Sequence, residues 1–232
     1  MFGWISRHPV YAALTIGAGT VAASEVIWFL IKYVRNKIKY EKSQIHEVLI
    51  FNELGYTCFA AHRLYIKDCN NTHCAQRNID RIVQLINQAK YSIDLAIFSL
   101  SFPEMLNALR QALLRHVKVR IIIHPKTYSL SPDVAILSQK GARIRIACST
   151  RKMMHHKFCV IDGRKRIDNL MQLQVILFEP YITWPVAING SANWTSSSMG
   201  GNYENIIIST NKIIVTKLET EFERMWKIFQ SR

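Results

Sequence analysis

One short stretch of the sequence carries side chains whose types and spacing could do chemistry. It contains His155, Lys157 and Asp162 in the spacing His-x-Lys-x4-Asp. An imidazole titrates near neutral pH and can act as a nucleophile, and a lysine ammonium can hold a phosphate oxygen. Because residues at i and i+2 of a strand face the same side, His155 and Lys157 are expected to share one site. His156 is expected to point the other way and to be structural.

A second polar motif follows a predicted strand further along the chain. It reads Gly-Ser-Ala-Asn-Trp-Thr over 190–195, and Ser191 and Asn193 would supply neutral hydrogen bonds to the same anion. Asp162 is expected to orient a group or to fix a turn. The alternative is a strand whose polar residues are merely exposed, and the apolar run 158–161 disfavours it.

The elements that must position these motifs alternate between strands and helices, which predicts an α/β fold with a sheet flanked by helices. Strands are predicted at 47–52, 91–100, 118–123, 143–147, 157–162, 184–189 and 204–209. Helices are predicted from their apolar spacing at 79–90, 103–114, 133–140 and 212–229. Gly141 is expected to close the third of these helices.

Residues 1–42 are interpreted as a membrane anchor with a basic flank, and 43–232 as the catalytic domain. The segment 9–31 has 23 residues and one charge, Glu25, which is enough apolar length for a transmembrane helix. A removable signal peptide and a buried core helix are the alternatives. Five basic residues follow the segment within eleven positions and Arg7 alone precedes it, so the positive-inside rule places the domain in the cytosol.

The charge of the chain is strongly positive. Its 232 residues carry a formal net charge of +14; six basic and two acidic residues in 1–42 account for +4 of it, which leaves +10 on 43–232. Such an excess serves a polyanionic partner, membrane topology or solubility. The 49% apolar content excludes a disordered chain. The candidates for a groove that follows a phosphate backbone are Arg143, Arg145, Arg151, Lys152 and Arg164.

Two further groups of residues are candidates for binding, one for bases and one for a metal ion. Tyr128, Phe102 and Trp194 could stack on bases, although the last two are expected in the core. Cysteines and histidines are dense between 58 and 74, which suits zinc, but the spacing is not that of a standard finger. A loop of free thiols is therefore the alternative reading of 58–74.

The two motifs resemble the HKD signature of the phospholipase D superfamily, and most closely that of its mitochondrial, Zucchini-like branch. The resemblance spans about residue 45 to the C-terminus and includes YSIDLAIFSLSFPEML, MMHHKFCVIDG, NGSANWT and GGNYENIIIS. It implies a mixed central β-sheet flanked by helices and a phosphodiesterase without a catalytic metal. In the family, one histidine attacks phosphorus to form a phosphohistidine, and a histidine from a second motif protonates the leaving oxygen.

This chain has a single HKD motif, so the resemblance implies a homodimer with the active site across its twofold axis. His155 of each chain would then serve, one as nucleophile and one as general acid and base. Lys157 and Asn193 would hold the non-bridging oxygens. Asp162 would be supportive, and Glu204 would orient His155.

The resemblance also implies a small zinc finger within 58–74. The preferred ligands of this structural zinc are Cys58, Cys69, His73 and Cys74, with His62 as a substitute. A departure from the family pattern is the long gap of 27 residues between Asp162 and Gly190. The insert 164–188 is predicted to extend a hairpin between the two motif strands.

The function that the resemblance implies is a single-strand-specific endoribonuclease on the mitochondrial outer membrane, facing the cytosol. It would cleave precursor transcripts in piRNA biogenesis and germ-line transposon silencing, alongside proteins of that pathway. The alternative is a phospholipase D that hydrolyses cardiolipin, and a third hypothesis is an inactive RNA-binding scaffold. The basic surroundings of His155 favour RNA over lipid, and the intact motif argues against a scaffold.

Overall fold

A computed structural model of the chain describes residues 9–64, 69–128, 132–147, 152–172 and 184–231. The chain forms two compact units, Met1–Gln44 and Ile45–Arg232, each with its own internal contacts.

The first unit contains the helix α1 (Pro9–Lys42), which has 34 residues. Its segment Gly17–Lys39 is long and apolar enough to cross a membrane, and it overlaps the predicted span 9–31. Lys39 and Lys42 lie in the last turn, where the helix dipole favours positive charge.

The second unit is built on one eight-stranded sheet in the order β1-β7-β6-β5-β2-β3-β4-β8. Its strands are β1 (His46–Phe51), β2 (Ser92–Ile97), β3 (Lys118–Ile123), β4 (Arg143–Ile146), β5 (Lys157–Ile161), β6 (Val186–Gly190), β7 (Glu204–Ser209) and β8 (Gln230–Ser231). β2, β3 and β4 are parallel, and the other neighbouring pairs are antiparallel. The predicted mixed α/β sheet is therefore confirmed.

Helices cover both faces of this sheet. In chain order they are α2 (Glu53–Leu64), α3 (Ala75–Gln88), α4 (Pro103–Leu114), α5 (Pro125–Tyr128), α6 (Pro132–Gln139), α7 (Arg164–Gln172), α8 (Ser196–Gly200) and α9 (Lys212–Ile228). On one face, Ile79 and Ile82 of α3 and Leu109 of α4 enter a large apolar core. On the other face, Phe222 of α9 packs on Phe158 of β5 in a second core. The apolar spacing along these helices explains why one side of each helix packs against the sheet.

Two predicted elements differ from the structure. The first part of the predicted loop 58–74 is helical, because α2 covers it and the Asn52 side chain accepts a hydrogen bond from the Leu54 N–H at 3.1 Å at its start. Residues 65–68 lie outside the described chain.

The insert 164–188 begins as the helix α7 rather than as a hairpin. The helix packs against α9: the Arg166 N–H donates to Glu219 Oε1 at 2.9 Å, and Lys165 Nζ donates to Thr220 Oγ1 at 2.8 Å. Ile167 supplies its buried side chain. β5 and β6 still pair antiparallel on either side of the insert, and residues 173–183 lie outside the described chain.

Asp162 closes β5 and ties it to the start of β2. Its carboxylate accepts three backbone N–H bonds, from Lys90 at 3.0 Å, Tyr91 at 2.7 Å and Ser92 at 2.9 Å. The backbone of Asp162 has a positive φ of 50°, which short polar residues tolerate. This carboxylate therefore fixes where β5 ends against β2.

We expect the substitution Asp162→Asn to destabilise the fold by about 3 kcal/mol, because an amide presents only one acceptor oxygen and its NH2 group faces N–H donors. Urea unfolding of the full chain in detergent, followed by tryptophan fluorescence, measures the change. Asp168→Asn, on the exposed side of α7, is the control and should shift stability by less than about 0.5 kcal/mol. Equal effects of the two substitutions would contradict this structural role.

Candidate active site

His155 and Lys157 lie together where β5 begins. Lys157 is the first residue of β5 and pairs with Ile97, the last residue of β2. Lys157 Nζ lies 3.3 Å from each ring nitrogen of His155 and donates to the His155 carbonyl at 3.0 Å. The ammonium is thus held over the imidazole, and the two side chains share one site.

Burial lowers the pKa of Lys157, and the negative charge of Glu204 offsets part of that shift. A cation that has lost part of its hydration binds an incoming anion more strongly than a fully hydrated one. The site therefore favours a phosphate oxygen beside the nucleophilic ring.

Ser191 and Glu204 form a hydrogen-bonded pair next to this cation. Ser191 Oγ donates to Glu204 Oε2 at 2.5 Å and accepts from the Asn205 N–H at 3.0 Å. Asn202 Nδ2 donates to Glu204 Oε1 at 3.1 Å. In the described chain, the hydrogen bonds of Glu204 run to these two residues rather than to His155. Within one chain, Glu204 thus acts electrostatically on Lys157, and its orienting role toward His155 stays a prediction.

Asn193 is oriented by the backbone of the loop after β2. Its Oδ1 accepts from the Ser99 N–H at 3.1 Å. The Trp194 carbonyl accepts from the N–H groups of Ser101 and Phe102 at 2.8 and 2.9 Å, which joins the two loops. Because the oxygen end of the Asn193 amide is occupied, its Nδ2 end is the donor that a phosphate oxygen would meet.

Gly190 is required by a close approach of two strands. A Cβ atom at this position would collide with the Asn205 carbonyl and with the Cα of Ile206. The backbone of β6 can therefore come close enough to β7 for the Ser191 N–H to bond the Asn205 carbonyl at 3.0 Å.

The structure adds two aromatic residues that the sequence analysis missed. The ring centroid of Phe98 lies 5.1 Å from that of His155 and 4.7 Å from that of His124. Burial lowers the pKa of His124, and the positive charges of Lys126 and His155 lower it further. A signal was present, since His124 and Lys126 repeat the His-x-Lys spacing directly after the predicted strand 118–123.

The aromatic residues first considered for stacking lie elsewhere. Phe102 and Trp194 are buried in the core, as expected. Tyr128 packs against the same core. His156 lies on the α9 side of the sheet, where its ring is 5.3 Å from that of Phe158 and its Nε2 is 3.9 Å from Glu221 Oε1.

Among the described basic residues predicted for a substrate groove, Arg143, Arg145 and Arg164 do not lie beside His155. Arg164 follows β5, and a five-residue strand of about 17 Å separates it from the catalytic end. The Arg145 guanidinium lies 4.5 Å from the centre of the Trp226 ring. Arg143 is exposed at the amino end of β4, opposite to the site. Lys152 is exposed and close in sequence to His155, and Arg151 lies outside the described chain.

The sulfur atoms of Cys58, Cys69 and Cys74 lie within 4.8 Å of one another. His62 Nε2 is 3.1 Å from Cys69 Sγ and 3.3 Å from Cys74 Sγ. Hydrogen bonding to His62, followed by that to the Asn71 backbone, lowers the pKa of Cys69 to about 6. Three sulfur donors and one imidazole at such spacings match a tetrahedral metal site.

His62, the predicted substitute ligand, contacts two sulfur atoms of this cluster. Cys58 and His62 are four residues apart on α2, which places them on one face of the helix. His73 is exposed, and its N–H donates to Asn71 Oδ1 at 2.9 Å. The substitute ligand named from the sequence is thus the one that the fold brings to the sulfurs.

Comparisons with known proteins identify one family. The family model described as cardiolipin synthase, PLD-like domain, matches residues 82–226. The mitochondrial cardiolipin hydrolase of Drosophila melanogaster is 38% identical over 236 residues, covering 97% of this chain and 92% of that protein. The protein of the same name from Danio rerio is 28% identical over 218 residues, covering 91% of this chain and 86% of its own length.

Solved structures share the fold. NucT from Helicobacter pylori superposes with a TM-score of 0.56 at 15% identity, covering 82% of this chain and 100% of its own. The phospholipase D family member Nuc from Salmonella typhimurium gives a TM-score of 0.53 at 19% identity, covering 66% and 90%. The family match over more than half of the chain and the 38% identity to the Drosophila protein show that this chain belongs to the phospholipase D superfamily of phosphodiester hydrolases.

Proposed function

We propose that the chain is a membrane-anchored, single-strand-specific endoribonuclease that works through a phosphohistidine. The observation that carries the proposal is the Lys157 ammonium over the His155 ring, among polar and aromatic side chains. A lipid hydrolase would need an apolar surface beside the nucleophile to admit acyl chains. The polar residues Ser191, Asn193 and Glu204 support a nucleic acid instead.

In the proposed reaction, a ring nitrogen of His155 attacks phosphorus and the bond to the leaving oxygen breaks. Lys157 and the Nδ2 group of Asn193 stabilise the negative charge on the non-bridging oxygens. A second imidazole gives its proton to the leaving oxygen, which departs as a hydroxyl group. That imidazole then takes a proton from water, the water oxygen attacks phosphorus, and the phosphorus–nitrogen bond to His155 breaks.

We propose that the second imidazole is His155 of another copy of this chain, because the sequence has one HKD motif. Two exposed apolar side chains on one face of the sheet support such a dimer. Val48, Ile207, Asn189 and Phe158 are successive cross-strand partners, so they lie on one face of the sheet. Phe158 is covered by α9, whereas Val48 and Ile207 are 62% and 44% exposed. A second copy that covers them would remove this apolar surface from water.

The relatives favour a mitochondrial location and also supply the alternative function. Proteins named mitochondrial cardiolipin hydrolase cover 97% and 91% of this chain. We therefore propose that the chain lies in the mitochondrial outer membrane, with residues 43–232 in the cytosol because basic residues follow the span. The cellular role proposed is piRNA biogenesis in germ-line transposon silencing, with pathway proteins that deliver the RNA. Cardiolipin hydrolysis at the same site is the alternative.

A direct test compares substrates in EDTA, using the full chain in detergent. Wild-type protein should cleave labelled single-stranded RNA, leave the matched duplex intact and release no phosphatidic acid from cardiolipin vesicles. Because the nucleophile is an enzyme imidazole rather than the RNA 2′-hydroxyl, the products should lack 2′,3′-cyclic phosphate. His155→Asn should abolish cleavage, and Lys157→Met should reduce kcat by about 10²–10³-fold.

Lipid turnover that depends on His155, without RNA cleavage, would establish the alternative function. Loss of RNA cleavage in EDTA with an intact fold would instead refute the metal-free mechanism. Lys118→Met is the matched control for Lys157→Met, since Lys118 is exposed at the far end of β3, and it should keep wild-type activity.

The dimer is tested by mixing chains. Wild-type and His155→Asn chains that carry different tags are co-expressed, and the mixed dimer is isolated through both tags. Because each site would need two imidazoles, the mixed dimer should be as inactive as the His155→Asn homodimer. A mixed dimer of wild type with Lys118→Met should be fully active. Half of the wild-type activity in the first mixed dimer would show that each chain has an independent site.

We also propose that the Cys58, His62, Cys69 and Cys74 cluster holds a structural zinc ion. Its thiolates and imidazole are the ligands that zinc prefers, and the cluster joins α2 to the segment before α3. The ion would support the fold and take no part in the reaction.

Elemental analysis of the purified full chain should therefore find about one zinc per chain. His62→Ala should lower the zinc content well below that level, whereas His73→Ala should leave it unchanged, because His73 lies outside the cluster. The reverse pattern for these two variants would return the fourth ligand to His73.

A further inference from the structure

Two aromatic rings beside His155 have no role in the phosphoryl transfer described above. Phe98 directly follows β2 and His124 directly follows β3, so both lie at the carboxyl ends of parallel strands. Ligands of α/β sheets bind at this edge. Both side chains are only partly buried, although the strands that precede them are buried.

The backbones that carry the two rings are joined through one hydroxyl group. The single proton of Thr127 Oγ1 is shared between the Phe98 carbonyl and, at 2.9 Å, the His124 carbonyl. The Tyr128 N–H also donates to the His124 carbonyl, at 3.0 Å, and starts the short helix α5. The backbone positions from which the two rings project are thus fixed before any substrate arrives, which lowers the entropic cost of binding.

The His124 ring has a defined orientation. The Lys126 N–H donates to His124 Nδ1 at 3.3 Å, so the proton of the neutral ring is on Nε2. The ring therefore offers one N–H donor and the π-face that is turned away from Phe98. Its centroid is 4.7 Å from that of Phe98, and the two planes are inclined by 33°.

We propose that Phe98 and His124 form a nucleobase-binding shelf, which holds one base of a single strand next to the phosphate that His155 attacks. This inference rests on the proposed endoribonuclease function and deepens it. Every base has a π-face, so stacking on aromatic rings tolerates any sequence. The His124 Nε2–H group adds one donor for an acceptor on the base.

The shelf accounts for a preference for single strands. A base in a duplex is stacked between its neighbours and paired, so it can reach the shelf only after it is unstacked and unpaired. A glycerophospholipid has no flat ring to place there. The shelf therefore favours nucleic acid at this site.

Abasic substrates test the shelf. Single-stranded RNA is prepared intact, or with one abasic residue at successive positions, and the full chain in detergent is the enzyme. In wild-type protein, kcat/KM for the phosphate next to the abasic residue should fall about tenfold relative to the same phosphate in intact RNA. An abasic residue elsewhere along the strand should have little effect.

Variants then show whether the missing base and the shelf act together. Phe98→Leu keeps an apolar side chain but removes the flat ring, so it should lose about tenfold on intact RNA and should no longer distinguish intact from abasic RNA. Phe98→Tyr keeps the ring and should behave like wild type. His124→Ala should also reduce the ratio of kcat/KM on intact RNA to kcat/KM on abasic RNA. This variant provides the test if Phe98→Leu does not fold.

Equal losses of Phe98→Leu and His124→Ala on intact and abasic RNA would refute the shelf, while wild-type cleavage of RNA would leave the proposed function standing. Failure of wild-type protein to cleave any RNA, with hydrolysis of cardiolipin, would refute both. The ratio of rates on the two substrates thus separates the two results.

Discussion

The catalytic geometry depends on a carboxylate that takes no part in the reaction. Asp162 accepts three backbone N–H bonds and thereby fixes the end of β5 against the start of β2. Because β5 has only five residues, fixing its last residue also fixes its first, Lys157, against Ile97. A slip of one residue would turn Lys157 to the α9 side of the sheet and separate it from Phe98. The HKD spacing is therefore as much a rule about strand register as about chemistry.

Much of the fold could be predicted because the central strands are buried on both faces. Such strands read as continuous apolar runs: the predicted strand 118–123 coincides with β3, and the predicted strand 91–100 contains β2. The sequence analysis missed α2 and α7. The segment that forms α2 is rich in Cys and His and has only a weak apolar periodicity, so its sequence did not predict a helix. The helix α7 depends on contacts with α9, such as that of Arg166 with Glu219, which are distant in sequence.

Some residues of the candidate site could likewise be predicted from the sequence, and others could not. Spacing within a strand identified His155, since a strand has a fixed period of two. Spacing could not choose between His62 and His73, because the choice depends on the helical turn that brings Cys58 and His62 to one face. Nor could it show that Arg164, close to the motif in sequence, lies at the far end of the strand. Proximity along a chain predicts proximity in space only where the local geometry is known.

The collision that any side chain at position 190 would cause has a consequence for recognising inactive relatives. Gly190 allows β6 to approach β7, and Asp162 sets the register of β5. Both residues are therefore required for the fold rather than for the reaction. A pseudoenzyme on this scaffold would have to keep them while it was free to lose His155, Lys157 and the Asn193 amide. Motif scores that weight all of these positions equally would rank such a protein as active. Only the last three report on the capacity to break a phosphodiester bond.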